Sequence, residues 1–122
     1  MSVTNYRDLI AWQKAMDVVM EIYRSSDTFP KSECFGLTQQ MRRAAVSIPS
    51  NIAEGQGRST TKDYIHFLHI ARGSIQELET QIYLATRLTF MTQEGQNELL
   101  VKTNEVSRLI SGLIRSLSVN SS

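Results

Sequence analysis

Apolar residues recur every three or four positions along four long stretches of the chain, the spacing that places them on one side of an α-helix. These stretches predict helices at residues of about 8–25, 33–54, 60–90 and 93–118. The connections between them are short, so consecutive helices are expected to run antiparallel. The pattern therefore predicts one all-α domain over residues 1–122, folded as an antiparallel up-down-up-down four-helix bundle.

Each predicted helix carries one main apolar stripe, which we expect to face the core. From the first helix to the fourth, the stripes consist of Leu9, Trp12, Met16, Val19, Met20 and Tyr23; Leu37, Met41, Ala44, Ile48 and Ile52; Tyr64, Phe67, Leu68, Ala71, Ile75, Leu78, Ile82 and Ala85; and Leu99, Val106, Leu109, Ile110, Leu113 and Leu117. Pro49 is expected to kink the second helix rather than end it, because the apolar spacing resumes in phase after it. Thr60 and Thr92 are the predicted caps of the third and fourth helices. Gly55 and Gly57 are expected to allow a positive φ where the second helix ends.

The first and third helices carry further apolar side chains away from these stripes, which is more than a lone bundle needs. The fourth helix has almost none. We therefore predict that the chain forms a homo-oligomer through the first and third helices, and the alternative is that these are scattered surface aliphatics. The candidate interface residues are Ala15, Val18, Ile22, Ile70, Ser74, Glu77, Leu84 and Leu88.

A polar line borders the apolar stripe of the second helix, where Arg43, Asn51 and Glu54 fall within an arc of about 80°. Such residues need partners if they are buried. The candidate pairs are Arg43 with Glu77, or Glu54 with Arg72, as charge-assisted hydrogen bonds between helices or subunits. We interpret this set as a structural polar network, and the alternative is a catalytic cluster.

The formal net charge is only +1, so any nucleic-acid binding must come from the placement of cations rather than from their number. Arg58 and Lys62 flank the start of the third helix, where exposed amides attract anions. Arg108 and Arg115 share one face of the fourth helix, and Arg42 should reach solvent from the second. Repeated around a symmetric ring, these five residues would follow a phosphate backbone through many weak contacts. In a monomer they would be ordinary solvated side chains.

Asp63 and His66 have the D-x-x-H spacing that offers two metal ligands from one helix face, but a di-metal bundle needs a second copy and the sequence has none. The single cysteine, Cys34, has no neighbouring group that would mark it as a nucleophile. We therefore expect no catalytic residue, no metal and no cofactor. Because no apolar segment has the length of a membrane span, we also expect a cytoplasmic protein.

Several segments resemble a known family. They are Asp8–Leu9 with Ala11–Ala15, then Phe29–Pro30, LTQQMRRAAVSIPSNIAEGQGR at 37–58, and FLHIARGSIQELETQ at 67–81. They look like the bacterial four-helix bundle proteins that are encoded within intervening sequences of 23S ribosomal RNA genes, and the most specific match is the run from Arg42 to Gly55. The resemblance implies a homo-oligomeric ring, typically a pentamer, with no established catalytic residue. Relatives include accessory proteins of diversity-generating retroelements, which associate with nucleic acid and a reverse transcriptase.

The leading hypothesis is therefore a ring-forming, non-enzymatic protein that binds RNA or DNA through outward Arg and Lys side chains, as an accessory of a ribonucleoprotein. An alternative from another class is an oligomeric adaptor or scaffold that presents a surface to a protein partner and has no affinity for nucleic acid. A third hypothesis is a metal-dependent enzyme that uses Asp63 and His66.

Overall fold

A computed structural model describes residues 5–120 and contains four long α-helices. Helix α1 spans Ile10–Ser26, α2 spans Leu37–Gln56, α3 spans Thr61–Arg87 and α4 spans Gln93–Asn120. Short 3₁₀ turns at Tyr6–Asp8 and Lys31–Glu33 precede α1 and α2. No strand occurs among the described residues, so the predicted all-α four-helix fold is confirmed.

The first two helices begin later than the sequence pattern predicts. Leu9 is extended, with φ −75° and ψ 126°, so α1 begins at Ile10. Gly36, with φ −109° and ψ −117°, lies outside the helical region and separates the preceding 3₁₀ turn from α2. The Glu33 carboxylate accepts a hydrogen bond from the Leu37 amide at 3.0 Å, which satisfies one free donor at the start of α2. As predicted, α2 continues through Pro49.

Helix ends show which local predictions were correct. Thr60 accepts a hydrogen bond from the Asp63 amide at 3.1 Å, and Thr92 accepts one from the Gly95 amide at 3.0 Å, so both predicted caps are confirmed. The predicted positive φ at Gly55 and Gly57 was wrong, because no glycine of the described chain has one. Gly55 instead lies buried inside α2.

Contacts between neighbouring helices fall in opposite order along the two partners. Between α2 and α3, the hydroxyls of Ser47 and Ser74 lie 2.6 Å apart, whereas Gly55 near the end of α2 lies against Tyr64 and Phe67 near the start of α3. Helices α3 and α4 are also antiparallel, since Glu79 contacts Thr103 and the earlier Arg72 contacts the later Ser111. Helices α1 and α4 show the same order, with ion pairs Glu21–Lys102 and Lys14–Glu105. Within the described chain no Cα atom of α2 comes within 8 Å of one in α4, and the same holds for α1 and α3, so these pairs lie diagonally across the bundle. The helices therefore surround one core in the order α1, α2, α3, α4.

The core is formed by side chains from all four helices. Those that are essentially inaccessible and large are Ile22, Met41, Ile48, Ile52, Leu68, Ile75, Leu78, Ile82 and Ile110, with Val18 and Val106. The central members of the stripes predicted for α2, α3 and α4 are confirmed as core residues. The other members of these stripes are only partly buried: Leu37, Tyr64, Phe67, Leu109, Leu113 and Leu117.

The predicted orientation of α1 was wrong. Its buried face consists of Ala11, Ala15, Val18 and Ile22, whereas Met16, Met20 and Tyr23 of the predicted core stripe are exposed. Both faces of α1 are apolar, so periodicity alone does not choose between them. The alanines face inward because small side chains let α1 approach its neighbours closely.

Candidate functional site

An apolar strip follows the groove between α1 and α2, and we call it the α1–α2 flank. Its members are Trp12, Met16, Val19 and Tyr23 of α1 with Val46 of α2, and Met20 borders them on the solvent-facing side of α1. Met20 is 52% exposed and Tyr23 is 42% exposed, which is unusual for large apolar side chains so close together. Tyr6 extends the strip at the end nearest the start of α1, where its ring makes an edge contact with the Trp12 ring at 5.4 Å between centroids.

A second apolar strip lies on α3 and we call it the α3 flank. Its exposed members are Ile70, Leu84 and Leu88, which fall on one side of the helix together with Ser74, Glu77 and Gln81. Because Ser74 contacts Ser47 of α2, this side of α3 adjoins α2. The two flanks therefore border α2 on its two sides, one towards α1 and one towards α3.

Gln81 is the most unusual residue of the α3 flank. Its side chain is only 5% exposed, and its Oε1 atom makes no hydrogen bond within the described chain. A buried amide oxygen without a donor costs roughly 1–3 kcal/mol. A donor brought by another molecule at this flank would remove that cost.

The structure separates the predicted interface residues into two groups. Ala15, Val18 and Ile22 each have 0% exposure inside the bundle, so their assignment to an oligomer interface was wrong. Ser74 is also buried and bonds to Ser47 within the same chain. In contrast, Ile70, Glu77, Leu84 and Leu88 are exposed, as are Met16, Met20 and Tyr23 of α1.

The predicted polar network has different pairs from those expected. Glu54 bonds to Arg58, at 2.6 Å, rather than to Arg72. Arg43 and Glu77 are both exposed, and no ion pair joins them in the described structure. Asn51 donates to the carbonyl and hydroxyl oxygens of Ser47 on its own helix, at 2.8 and 3.0 Å. The polar contact across the α2–α3 groove is thus the short hydrogen bond between the hydroxyls of Ser47 and Ser74, and Arg43 and Glu77 extend into solvent.

Two of the five candidate cations are held by neighbouring groups. The Arg42 guanidinium lies 4.5 Å from the centroid of the Tyr23 ring, and its Nε donates to Ser26 Oγ at 2.9 Å. Arg58 pairs with Glu54 and lies 4.6 Å from the centroid of the Phe67 ring. These contacts fill part of the hydrogen-bonding capacity of each guanidinium, and Glu54 also offsets the charge of Arg58.

Lys62, Arg108 and Arg115 are exposed and make no ion pair among the described residues. Arg108 and Arg115 lie seven residues apart on α4, which returns them to nearly the same side of the helix. They are therefore the members of the predicted set that are best placed for an external anion.

Other chemistry is sparse in the described part of the chain. No three His, Cys, Asp or Glu residues there are close enough to hold a metal ion. Cys34 is exposed, and His66 makes an edge contact with the Phe67 ring. Burial raises the pKa of the Tyr64 hydroxyl above its ordinary value, because the phenolate would lose hydration, so Tyr64 stays neutral at physiological pH. None of the helices in residues 5–120 has the length and hydropathy to cross a bilayer.

Comparisons with known proteins agree with this architecture. The sequence model of the 23S rRNA-intervening sequence proteins matches residues 7–112, which is most of the chain. A crystal structure from Bacteroides thetaiotaomicron, described as a protein of unknown function from the S23 ribosomal protein family, superposes with a TM-score of 0.80. The superposition covers 87% of this chain and 96% of that one, at 22% sequence identity, and at that identity it shows the fold alone. No curated protein matches the sequence.

Proposed function

The chain belongs to the family of 23S rRNA-intervening sequence proteins, and from that premise we propose that it assembles into a closed homo-oligomeric ring, about a pentamer, that binds RNA or DNA without catalysing a reaction. The observation that carries the proposal is the pair of apolar flanks on the two sides of α2. The flanks differ in composition, so the natural contact is heterologous, with the α1–α2 flank of one subunit against the α3 flank of the next.

The heights of the two flanks match. Helices α1 and α3 both run antiparallel to α2 and so point in the same direction. At about 1.5 Å per residue, Tyr23 and Leu84 each lie about 4.5 Å before the end of their helix. Trp12 and Ile70 lie about 21 Å and 26 Å from those same ends. Side-by-side subunits would therefore bring apolar residues together along both flanks and enclose the unpaired oxygen of Gln81.

The positions of the flanks also favour a ring of few subunits. Helices at the corners of a four-helix bundle make adjacent sides that meet at roughly a right angle. Subunits that join through two adjacent sides act as wedges, and wedges of about 70–90° close after roughly four or five copies. Such a ring has α2 on its inner side and α4 on its outer side, where Arg108 and Arg115 repeat once per subunit.

A repeated pair of arginines suits a polyanion better than a small anion. Each phosphate contact is weak at physiological salt, but contacts on successive subunits become intramolecular once the first has formed. A chain with a net charge of only +1 would therefore gain nucleic-acid affinity through assembly. Assembly and binding are coupled in this proposal.

Substitutions on the flanks test the assembly. Met20→Asp on the α1–α2 flank and Leu84→Asp on the α3 flank would each bury a carboxylate in the interface, and each is expected to yield single subunits by light scattering. Val101→Asp is the matched control, because Val101 is 70% exposed on α4 and lies outside both flanks. Circular dichroism should remain helical in all three variants. An unchanged mass for both flank variants, with the control also unchanged, would refute this interface.

A salt series tests the nucleic-acid contact. Wild-type protein should retard RNA or duplex DNA at low salt and lose affinity steeply as salt is added. Arg108→Glu with Arg115→Glu should abolish the shift. The control pair, Lys31→Glu with Arg87→Glu, changes the total charge equally at other exposed positions and should reduce binding much less. Equal losses for the two double variants would mean that general charge, not α4, drives binding.

The alternative is an oligomeric adaptor for a protein partner, and the near-neutral total charge is the observation that favours it. An adaptor ring would show the same subunit mass and the same response to flank substitutions. It would give no nucleic-acid shift even at low salt, and this result would decide for the adaptor.

A further inference from the structure

Arg72 is a half-buried cation at the junction of α3 and α4. Its Nη1 donates to Ser111 Oγ on α4 at 3.1 Å, and its Nη2 lies 2.9 Å from Nδ1 of His69, one turn earlier on α3. Both partners are neutral groups when the imidazole is unprotonated. The guanidinium is thus held in place without a carboxylate to balance its charge.

No acidic residue of the described chain forms an ion pair with Arg72, although Asp8 lines the same groove as Arg108. Asp63 comes nine residues before Arg72, which places it about 180° away around α3. Glu105 on α4 pairs with Lys14 of α1 at 3.4 Å. Glu79, two turns after Arg72 on α3, accepts a hydrogen bond from the Thr103 hydroxyl at 2.7 Å. The guanidinium of Arg72 therefore keeps a positive charge with no ion-pair partner among the described residues, although the whole chain is nearly neutral.

The two arginines of α4 lie next to this cation. Ser111, which anchors Arg72, comes three residues after Arg108 and four residues before Arg115, spacings that make side chains neighbours on a helix surface. Gly112 lies between Arg108 and Arg115 in the chain and has no side chain to fill the space near them. A Cβ added there would lie 3.9 Å from Nη2 of Arg115. Three guanidinium groups from two helices thus border one patch.

His69 adds a directed hydrogen-bond donor to the patch. A guanidinium can only donate, so Nδ1 of His69 is the acceptor in its contact with Arg72. The proton of the neutral imidazole then resides on Nε2. Because His69 is exposed, this N–H is available to an external acceptor.

We propose that this patch, made of Arg72, Arg108, Arg115 and His69, is a binding site for the phosphodiester backbone of a nucleic acid, with Ser111 as the residue that positions Arg72. The inference rests on the proposed function and gives its nucleic-acid contact a location and a central residue. One guanidinium held in place, two exposed ones and a neighbouring N–H donor suit the several oxygens of a phosphate. No base edge is needed, so binding should be independent of sequence.

The test measures binding of a fluorescent single-stranded RNA and of duplex DNA by anisotropy over a range of salt. Arg72→Gln should weaken binding about tenfold at low salt and reduce the slope of log affinity against log salt by about one. Ser111→Ala keeps the charge, so it should weaken binding with little change in slope. Arg87→Gln, an exposed arginine near the end of α3, is the control and should change neither quantity by as much as Arg72→Gln.

Different failures have different meanings. If the wild-type protein binds no nucleic acid, the proposed function falls and this site falls with it. If the wild type binds and Arg72→Gln behaves like Arg87→Gln, the site is refuted while the proposed function stands.

A second measurement does not depend on the folding of Arg72→Gln. Imidazole NMR signals of the unmodified protein can be followed while a short oligonucleotide is added. His69 should shift more than His66, and a larger shift of His66 would also refute the site.

Discussion

Replacement of Gly55 by alanine tests the closest approach of two helices in the bundle. Gly55 is buried in the last turn of α2, against the first turns of α3. A Cβ at this position would lie 2.8 Å from Cβ of Phe67 and 3.1 Å from both Cδ1 and the carbonyl oxygen of Tyr64. Neither the Phe67 Cβ nor the Tyr64 carbonyl can move without its backbone, so α2 and α3 must separate.

The magnitude follows from two opposed effects. Overpacking of this kind costs typically about 1–3 kcal/mol. Alanine is a better helix former than glycine by about 1 kcal/mol, which offsets part of that cost. Gly73→Ala isolates the second effect, because a Cβ at Gly73 on α3 would meet nothing within 4 Å. We expect Gly73→Ala to stabilise the protein by about 0.5–1 kcal/mol, and Gly55→Ala to be less stable than Gly73→Ala by about 1–3 kcal/mol.

Urea unfolding followed by circular dichroism measures both free energies of unfolding. Protein concentration must be the same for all samples, because self-association couples to unfolding. A Gly55→Ala variant as stable as Gly73→Ala would refute the close packing of α2 against α3. Gly55→Ser is a further check, since a larger side chain should cost at least as much as alanine.

Three smaller predictions concern other elements and use the same unfolding assay. Thr60→Ala removes the hydroxyl that accepts from the Asp63 amide and should destabilise the protein by about 0.5–2 kcal/mol, whereas no loss would mean that water caps α3 equally well. Thr89 has φ 65°, a conformation that is unfavourable for a β-branched residue. Thr89→Gly should therefore stabilise the protein by about 1 kcal/mol. A loss of stability would contradict that backbone geometry. Ile48→Ala should cost about 2–5 kcal/mol because Ile48 is fully buried, while the exposed Ile10→Ala should cost far less, and equal costs would contradict the assigned core.

Periodicity was sufficient for the number of helices and for three of the four core stripes. Helices α2, α3 and α4 each have one apolar face that is more continuous than any other. The further apolar residues of α3, Ile70, Leu84 and Leu88, are too few to compete with it, so one orientation buries most of the apolar side chains. Helix α1 has two apolar faces, and the larger side chains were wrongly placed inside. The outcome depends on how closely helices pack, which is a property of the assembled bundle rather than of one helix.

The candidate site shows a similar division. The two apolar faces of α1 and the extra apolar residues of α3 were visible in the sequence, and they correctly indicated surplus apolar surface. Arg108 and Arg115 were visible in the sequence as a pair on one helix face, but the position of Arg72 and His69 beside them was not, because it depends on the contact between Arg72 of α3 and Ser111 of α4. Glu54, which the sequence predicted as the partner of Arg72, lies on α2 and pairs instead with Arg58, one turn later in the chain.

The most direct test of the account is the mass of the unmodified protein in solution, measured by native mass spectrometry and by light scattering over a range of concentrations. We expect one closed species of about five subunits of 13.8 kDa each, with no larger open assemblies. A single subunit at high concentration, with both apolar flanks in contact with water, would contradict it.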